Sequence, residues 1–191
     1  ILPGDDPAAL HAEYLAAACE GQSPDRITEI AWEDVPTEAG LPRIVYIDML
    51  LSQGLLHDSY VLGQNASEGL PCLIDPRVVL DGGVVSGNCV SACDKNTTYH
   101  HQNNPVIVQL LEGHGRRWDF CGVILTNEPT RLGAKQASAK ATIDLARGLR
   151  ADGAVISKEG FGNPDADLMM IIKGLEELGI KTDRGCIVID G

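Results

Sequence analysis

The chain has 191 residues, a net charge of −12, and a composition that is 44% hydrophobic but only 4% aromatic. That length supports one well-formed aliphatic core and not two large domains. The acidic balance, with no basic stripe to offset it, excludes nucleic-acid binding, and no apolar run approaches the ~20 residues of a membrane-spanning helix.

In chain order, Asp6 to Glu20 reads as an Ala-rich helix with Pro7 in its first turn. Gly21 to Gly40 is polar and turn-rich. Arg43 to Leu50 (R-I-V-Y-I-D-M-L) is β-branched and apolar, the pattern of a buried strand. Leu51 to Leu80 holds short apolar pieces broken by Gly, Pro and Asn. Asp119 to Thr126 is a second strand. Leu132 to Leu149 is a helix with Ala139, Ile143 and Ala146 along one face. Ala154 to Ser157 is a strand, and Asp165 to Leu178 a helix with Leu168, Ile171, Ile172 and Leu175 on one stripe. Cys186 to Ile189 is a further strand. This alternation predicts an α/β fold, a mainly parallel sheet with flanking helices in a Rossmann-like three-layer arrangement, forming one domain over residues 1–191. The first residue is Ile1 and the last strand-like segment stops at Gly191, so the chain reads as a portion of a longer protein. The six cysteines (Cys19, Cys72, Cys89, Cys93, Cys121 and Cys186) are scattered, with no secretory signal. They point to reduced thiols in a cytoplasmic protein.

The stretch Asp81 to Pro105 (D-G-G-V-V-S-G-N-C-V-S-A-C-D-K-N-T-T-Y-H-H-Q-N-N-P) is the densest in groups that bond hydrogen, ligate metals or move protons, and it lacks the period of a simple helix or strand. Within it, Gly87-Asn88-Cys89 suggests a reaction. A cysteine thiol can attack the carbonyl of the residue before it and turn the amide into a thioester, given a strained peptide and a proton for the departing amine. Elimination and hydrolysis would leave a pyruvoyl carbonyl, an electrophile that captures primary amines. The tripeptide alone is a weak signal. Cys89 and Cys93 with His100 and His101 can also be read as a metal site, but C-x3-C-x6-H-H is not a standard zinc spacing.

Longer runs carry a resemblance. Ser52 to Gly63 (S-Q-G-L-L-H-D-S-Y-V-L-G), Val84 to Ile107, Gly122 to Glu128 (G-V-I-L-T-N-E) and Glu159 to Leu168 (E-G-F-G-N-P-D-A-D-L) resemble the component B proprotein of the glycine/sarcosine/betaine reductase family. The D-proline reductase proprotein is a related second choice. The resemblance implies cleavage between Asn88 and Cys89, with Cys89 becoming the pyruvoyl cofactor. It further implies a glycine, sarcosine or betaine substrate and reductive cleavage of its C–N bond by selenoprotein partner subunits, in an oligomeric assembly without nucleic acid or membrane. In that frame Asn88, Cys89, Cys93, His100 and His101 are the catalytic candidates, the histidines together with Asp94 being the proton donors. Lys95 is assigned to the substrate carboxylate and Asp94 to its ammonium, with Asn96 and His57 nearby. Glu159-Gly160-Phe161-Gly162-Asn163-Pro164 lies between a strand and a helix, with Asn163 as N-cap, Pro164 at the first helical position and free N–H groups for an anion. Its spacing is not G-x-G-x-x-G, so no dinucleotide is expected. The remaining readings are an amine-binding homologue that never cleaves and a Cys/His metal protein.

Overall fold

The computed structural model describes residues 39–52, 59–87 and 95–184. The expected helix at Asp6 to Glu20 and the expected strand at Cys186 to Ile189 lie outside these residues. The sheet of five strands runs in the order β4 (Cys72–Ile74), β6 (Asp119–Asn127), β1 (Arg43–Leu50), β7 (Gly153–Lys158), β8 (Lys181–Arg184). All neighbours pair in parallel except the antiparallel edge strand β4. Among the described residues the edge parallel strand is Lys181–Arg184, which sequence periodicity does not pick out. A smaller antiparallel sheet pairs β2 (Ser59–Val61) with β3 (Gln64–Asn65) and β5 (Val84–Ser86). Strand β5 and the first helix below fall within Asp81 to Pro105, a stretch whose elements are too short for periodicity to register.

Four helices matter here: α1 (Thr98–Gln102), α2 (Pro105–Gly113), α3 (Leu132–Gly148) and α4 (Asn163–Glu177). Asn104 begins α2 by accepting hydrogen bonds from the Val106 and Ile107 N–H groups, with Pro105 in the first turn. The two faces of β1 take different partners. Val45, Ile47 and Met49 join the core with Ala139, Ala146, Ile171, Ile172 and Leu175 of α3 and α4. Tyr46 and Asp48 alternate to the other face, where Tyr46 meets Asn104 at the start of α2. Burial on both faces is why the strand reads as a nearly continuous apolar run. The expected helix stripes hold, with Ile143 and Leu168 packed partly buried at the edge of this core.

Two glycines are needed for shape. Register between β1 and β6 shifts between Ile44 and Tyr46, and opposite that irregularity Gly122 adopts φ +124°, which side-chain-bearing residues rarely do. At the end of α2, a Cβ on Gly113 would lie 2.2 Å from the Trp118 ring. That ring is fixed by its N–H donating to the Leu110 carbonyl at 2.8 Å and by Arg117 over its face. Gly113→Ala is expected to lower stability by roughly 1–3 kcal/mol, the usual cost of overpacking. A shift in urea midpoint at unchanged slope would show it; an unchanged midpoint would mean the ring moves aside freely.

Candidate functional site

In open parallel sheets the crevice beyond the carboxyl ends of the strands, where flanking helices leave to opposite faces, is the natural ligand site. Here β1 and β7 are neighbours, α2 covers one face and α4 the other, and buried polar residues gather at these strand ends: Tyr46, Asp48, Ser157, Glu159, Glu128 and His101. Buried polar groups are rare without a partner, so their bonding is informative.

The first group is a directional chain. Asn104 donates from Nδ2 to the Tyr46 hydroxyl at 3.2 Å. The Ser157 hydroxyl donates to Asp48 Oδ1 at 3.0 Å, and its oxygen lies 2.5 Å from the Tyr46 hydroxyl. A hydroxyl has one proton, so Tyr46 must donate to Ser157. Burial, and then the charge of Asp48, hold Tyr46 well above the usual phenol range, which keeps it a donor. Burial pushes the Asp48 carboxyl up to about 6 against the pull of the Ser157 and Tyr46 hydroxyls. Tyr46, Ser157 and Asn104 open with Asn96, His100 and Lys158 onto a small space of about 20 Å³, enough for one water.

The second group centres on Glu159. Its Oε2 accepts from the Leu51 N–H at 2.7 Å and its Oε1 from the Asn96 N–H at 3.0 Å. His101 Nε2 stands 3.5 Å from the same Oε1. Burial raises this carboxyl to about 8, while the backbone donors and Lys95 oppose the rise. His101 moves the other way, down to about 4, by burial and by the neighbouring charges of His100 and Lys95. At neutral pH the proton of the pair therefore resides on Glu159 and the imidazole is neutral. A buried neutral carboxyl beside a neutral imidazole can deliver a proton to a departing amine.

The third group joins α3 to α4. Lys135 donates to an oxygen of Asp167, both side chains being buried, and, at 3.0 Å, to the carbonyl of the exposed Asn163. Glu128, at the end of β6, is fully buried, and neither of its carboxyl oxygens has a partner. It forms part of the wall of a cavity of about 480 Å³ with Ser52, Asn127, Arg131 and Ser138.

Of the residues that sequence nominates, Asn88, Cys89, Cys93, Asp94 and His57 lie outside the described residues. His101 joins Glu159. His100 accepts the Thr97 N–H on Nδ1 at 3.3 Å, closing a capping box at the start of α1. Asn96 contributes its backbone N–H, and Lys95 is buried beside the same carboxyl. Asn163 stands apart from this group: its carbonyl is held by Lys135 and its side chain donates to the Pro129 carbonyl at 3.5 Å. The N-cap of α4 is Gly162 and not Asn163, because Gly162 takes φ +78° and its N–H is met by Asp165 at 3.1 Å. Asp48, Ser157, Glu128 and Glu159 are the residues that sequence reasoning passes over. The available signal was a polar residue inside or just beyond the carboxyl end of an apolar strand. Cys72 and Cys121 are free and half-buried, and burial pushes both thiols up, Cys121 to about 11, which makes neither a nucleophile. Among the described residues no group of three His, Cys, Asp or Glu could hold a metal ion, and no helix is long and apolar enough to cross a membrane.

The pattern of the glycine/sarcosine/betaine reductase component B subunits matches residues 8–187. The chain belongs to this component B family. It is 49% identical to the glycine reductase complex component B subunits alpha and beta of Acetoanaerobium sticklandii, over 89% of this chain and 40% of the relative. It is 42% identical to the sarcosine reductase complex component B subunit alpha of Peptoclostridium acidaminophilum, over 89% of this chain and 41% of the relative. A more distant relative is the D-proline reductase proprotein of Acetoanaerobium sticklandii, 26% identical over 67% of this chain and 22% of the relative. The chain thus spans about two fifths of the length of its nearer component B relatives. No solved structure matches it.

Proposed function

We propose that this component B chain is the amine-binding part of a glycine/sarcosine/betaine reductase, an oxidoreductase, and that it cleaves itself between Asn88 and Cys89 to generate a pyruvoyl group. The observation that carries the reading is how the polypeptide is held on either side of residues 88–94. Ser86 and Thr98 bond each other twice, the Ser86 N–H to the Thr98 hydroxyl at 3.0 Å and that hydroxyl back to the Ser86 carbonyl at 3.3 Å. Immediately beyond the segment, the Asn96 N–H is fixed on Glu159. These two anchors support the reading because Asn96, just beyond the segment, is bonded to a carboxyl raised to about 8.

The chemistry balances as follows. Cys89 Sγ adds to the Asn88 carbonyl carbon, the C–N bond breaks, and the amine of residue 89 takes a proton, for which Glu159 with His101 is the donor. Loss of the Cys89 Cα proton then expels the thiocarboxylate of Asn88. The resulting dehydroalanine takes up water and releases ammonia. The pyruvoyl carbonyl supplies an electrophile that captures a primary amine and withdraws electrons from its C–N bond. Around it, Lys95 and Asp94 serve the carboxylate and ammonium of the substrate, and Tyr46, Asn104 and Ser157 line the small polar space. Electrons for C–N cleavage come from selenol groups of partner subunits. The position of Asn163, held by Lys135 and the Pro129 carbonyl, favours a supporting place for it and not substrate contact.

Intact mass of the denatured protein, with and without hydroxylamine or borohydride, tests this. The expected result is two fragments split at Asn88–Cys89, only the downstream one shifted by the reagents. One uncleaved chain, inert to both reagents even when produced with its complex partners, would establish a non-processing amine-binding homologue instead.

A further inference from the structure

We propose that the clip Gly160-Phe161-Gly162 between β7 and α4 is the docking point for the protein that delivers electrons to this site, with Phe161 entering an apolar socket on that partner. The inference rests on the reductase reading above and adds to it the place where the electron donor seats.

The chain has only two phenylalanines. Phe120 is buried in β6, whereas Phe161 is 68% exposed. A single exposed apolar residue is ordinary; the way this one is held is not. Gly160 and Gly162 both take positive φ, +63° and +78°, a conformation that residues with side chains adopt at a cost. Lys158 then fastens both sides of the clip. Its ammonium donates to the Gly160 carbonyl at 2.5 Å and pairs with Asp165 at 3.0 Å, and Asp165 in turn accepts the Gly162 N–H at 3.1 Å. The Lys158 side chain is itself nearly buried, so the clasp is anchored in the protein while the ring it carries stays in solvent. A loop ordered before anything binds loses little entropy on association, which is the condition under which an aromatic side chain makes an effective interface anchor.

The position of the clip names its occupant. It follows Glu159 directly at the carboxyl end of β7, beside the polar space lined by Tyr46, Asn104 and Ser157. The adjoining loop adds Leu132, 62% exposed in the first turn of α3. Asn163 joins the two loops, its Nδ2 donating to the Pro129 carbonyl at 3.5 Å and its own carbonyl held by Lys135 at 3.0 Å. A protein that hands electrons to a substrate at this end of the sheet has to cover that rim. A second copy of the chain is a poor occupant, because two chains of net charge −12 repel each other.

The affinity of the full chain for the purified selenoprotein subunit of the same complex, measured by calorimetry, tests the assignment. Phe161→Ala is expected to weaken binding at least about ten-fold at an unchanged urea midpoint, and Phe161→Tyr to retain most of it. Asp165→Ala leaves the ring but opens the clasp, and is expected to weaken binding by about three-fold. Leu178→Ala removes a comparably exposed side chain from the far end of α4 and should leave affinity unchanged. No binding by the parent chain, or equal affinity of parent and Phe161→Ala, overturns the proposal. Self-association of the chain alone that Phe161→Ala abolishes overturns it too, by placing a second copy on this rim. Binding through Phe161 in a chain that never cleaves would sink the processing reading alone; a cleaved chain whose binding ignores Phe161 would sink this surface alone.

Discussion

Stability is expected to fall as pH is raised from about 6.5 to 8, a direction opposite to that of proteins held by ionised carboxylates. Glu159 rises from an ordinary 4.5 to about 8 and Glu128 from 4.5 to about 10, both chiefly by burial. Between pH 4.5 and these values the folded chain keeps protons that the unfolded chain has released. Stability therefore declines with pH, by roughly 1 kcal/mol per pH unit for each group. His101 works in the other sense, its value lowered from 6.5 to about 4, so its contribution grows as pH rises from 4 to 6.5 and is constant above that. Asp48, raised to about 6, has finished titrating by then as well. Among the described residues, the two glutamates set the slope between 6.5 and 8, and Glu128 sets it between 8 and about 9, above which the raised thiols of Cys72 and Cys121 join it. Urea midpoints across this range check the claim. Glu159→Gln should remove about half of the slope below pH 8, and Glu128→Gln that between pH 8 and 9. A flat profile in the parent would show that both carboxyls are ionised in the fold.

Lys135→Met is expected to cost about 3–5 kcal/mol, the penalty for stripping one partner from a buried ion pair. Both side chains are almost wholly buried, and the same ammonium also satisfies the Asn163 carbonyl at the start of α4. Removal leaves the Asp167 carboxylate in an apolar interior with its other oxygen already unpartnered. The double variant Lys135→Met/Asp167→Leu should recover a large part of the loss, because well-packed apolar residues often replace a buried pair at little cost. Equilibrium unfolding of the two variants distinguishes this from simple loss of packing, for which the second substitution would only add to the damage.

The resemblance drawn from four runs of sequence matched the family because those runs are long and contiguous, and contiguous pattern is what a sequence displays. The same holds for β1, β7 and the stripes of α3 and α4: an element buried along a face repeats its apolar residues at the period of its own backbone. Residues 98–102 and 84–86 escape such reading because three to five residues contain no full period. Gly162 and Asn163 show a finer limit, since either can stand at an N-cap and only the backbone angle at Gly162 chooses between them.

By itself, then, the sequence determined the α/β class, the mainly parallel sheet and the component B family. The tertiary structure decided which polar groups gather at the strand ends. Glu159 meets Leu51 and Asn96 from 108 and 63 residues away, and Ser157 meets Asp48 from 109. No local period encodes such pairings. They follow from strand register, which sets Asp48 opposite Ser157, and from the burial of both sheet faces, which excludes water and makes each polar side chain at the strand ends depend on the others. Glu128 is the extreme case: in sequence it is the acid that ends an apolar run, and only the closed fold reveals a buried carboxyl with no partner at the edge of a cavity.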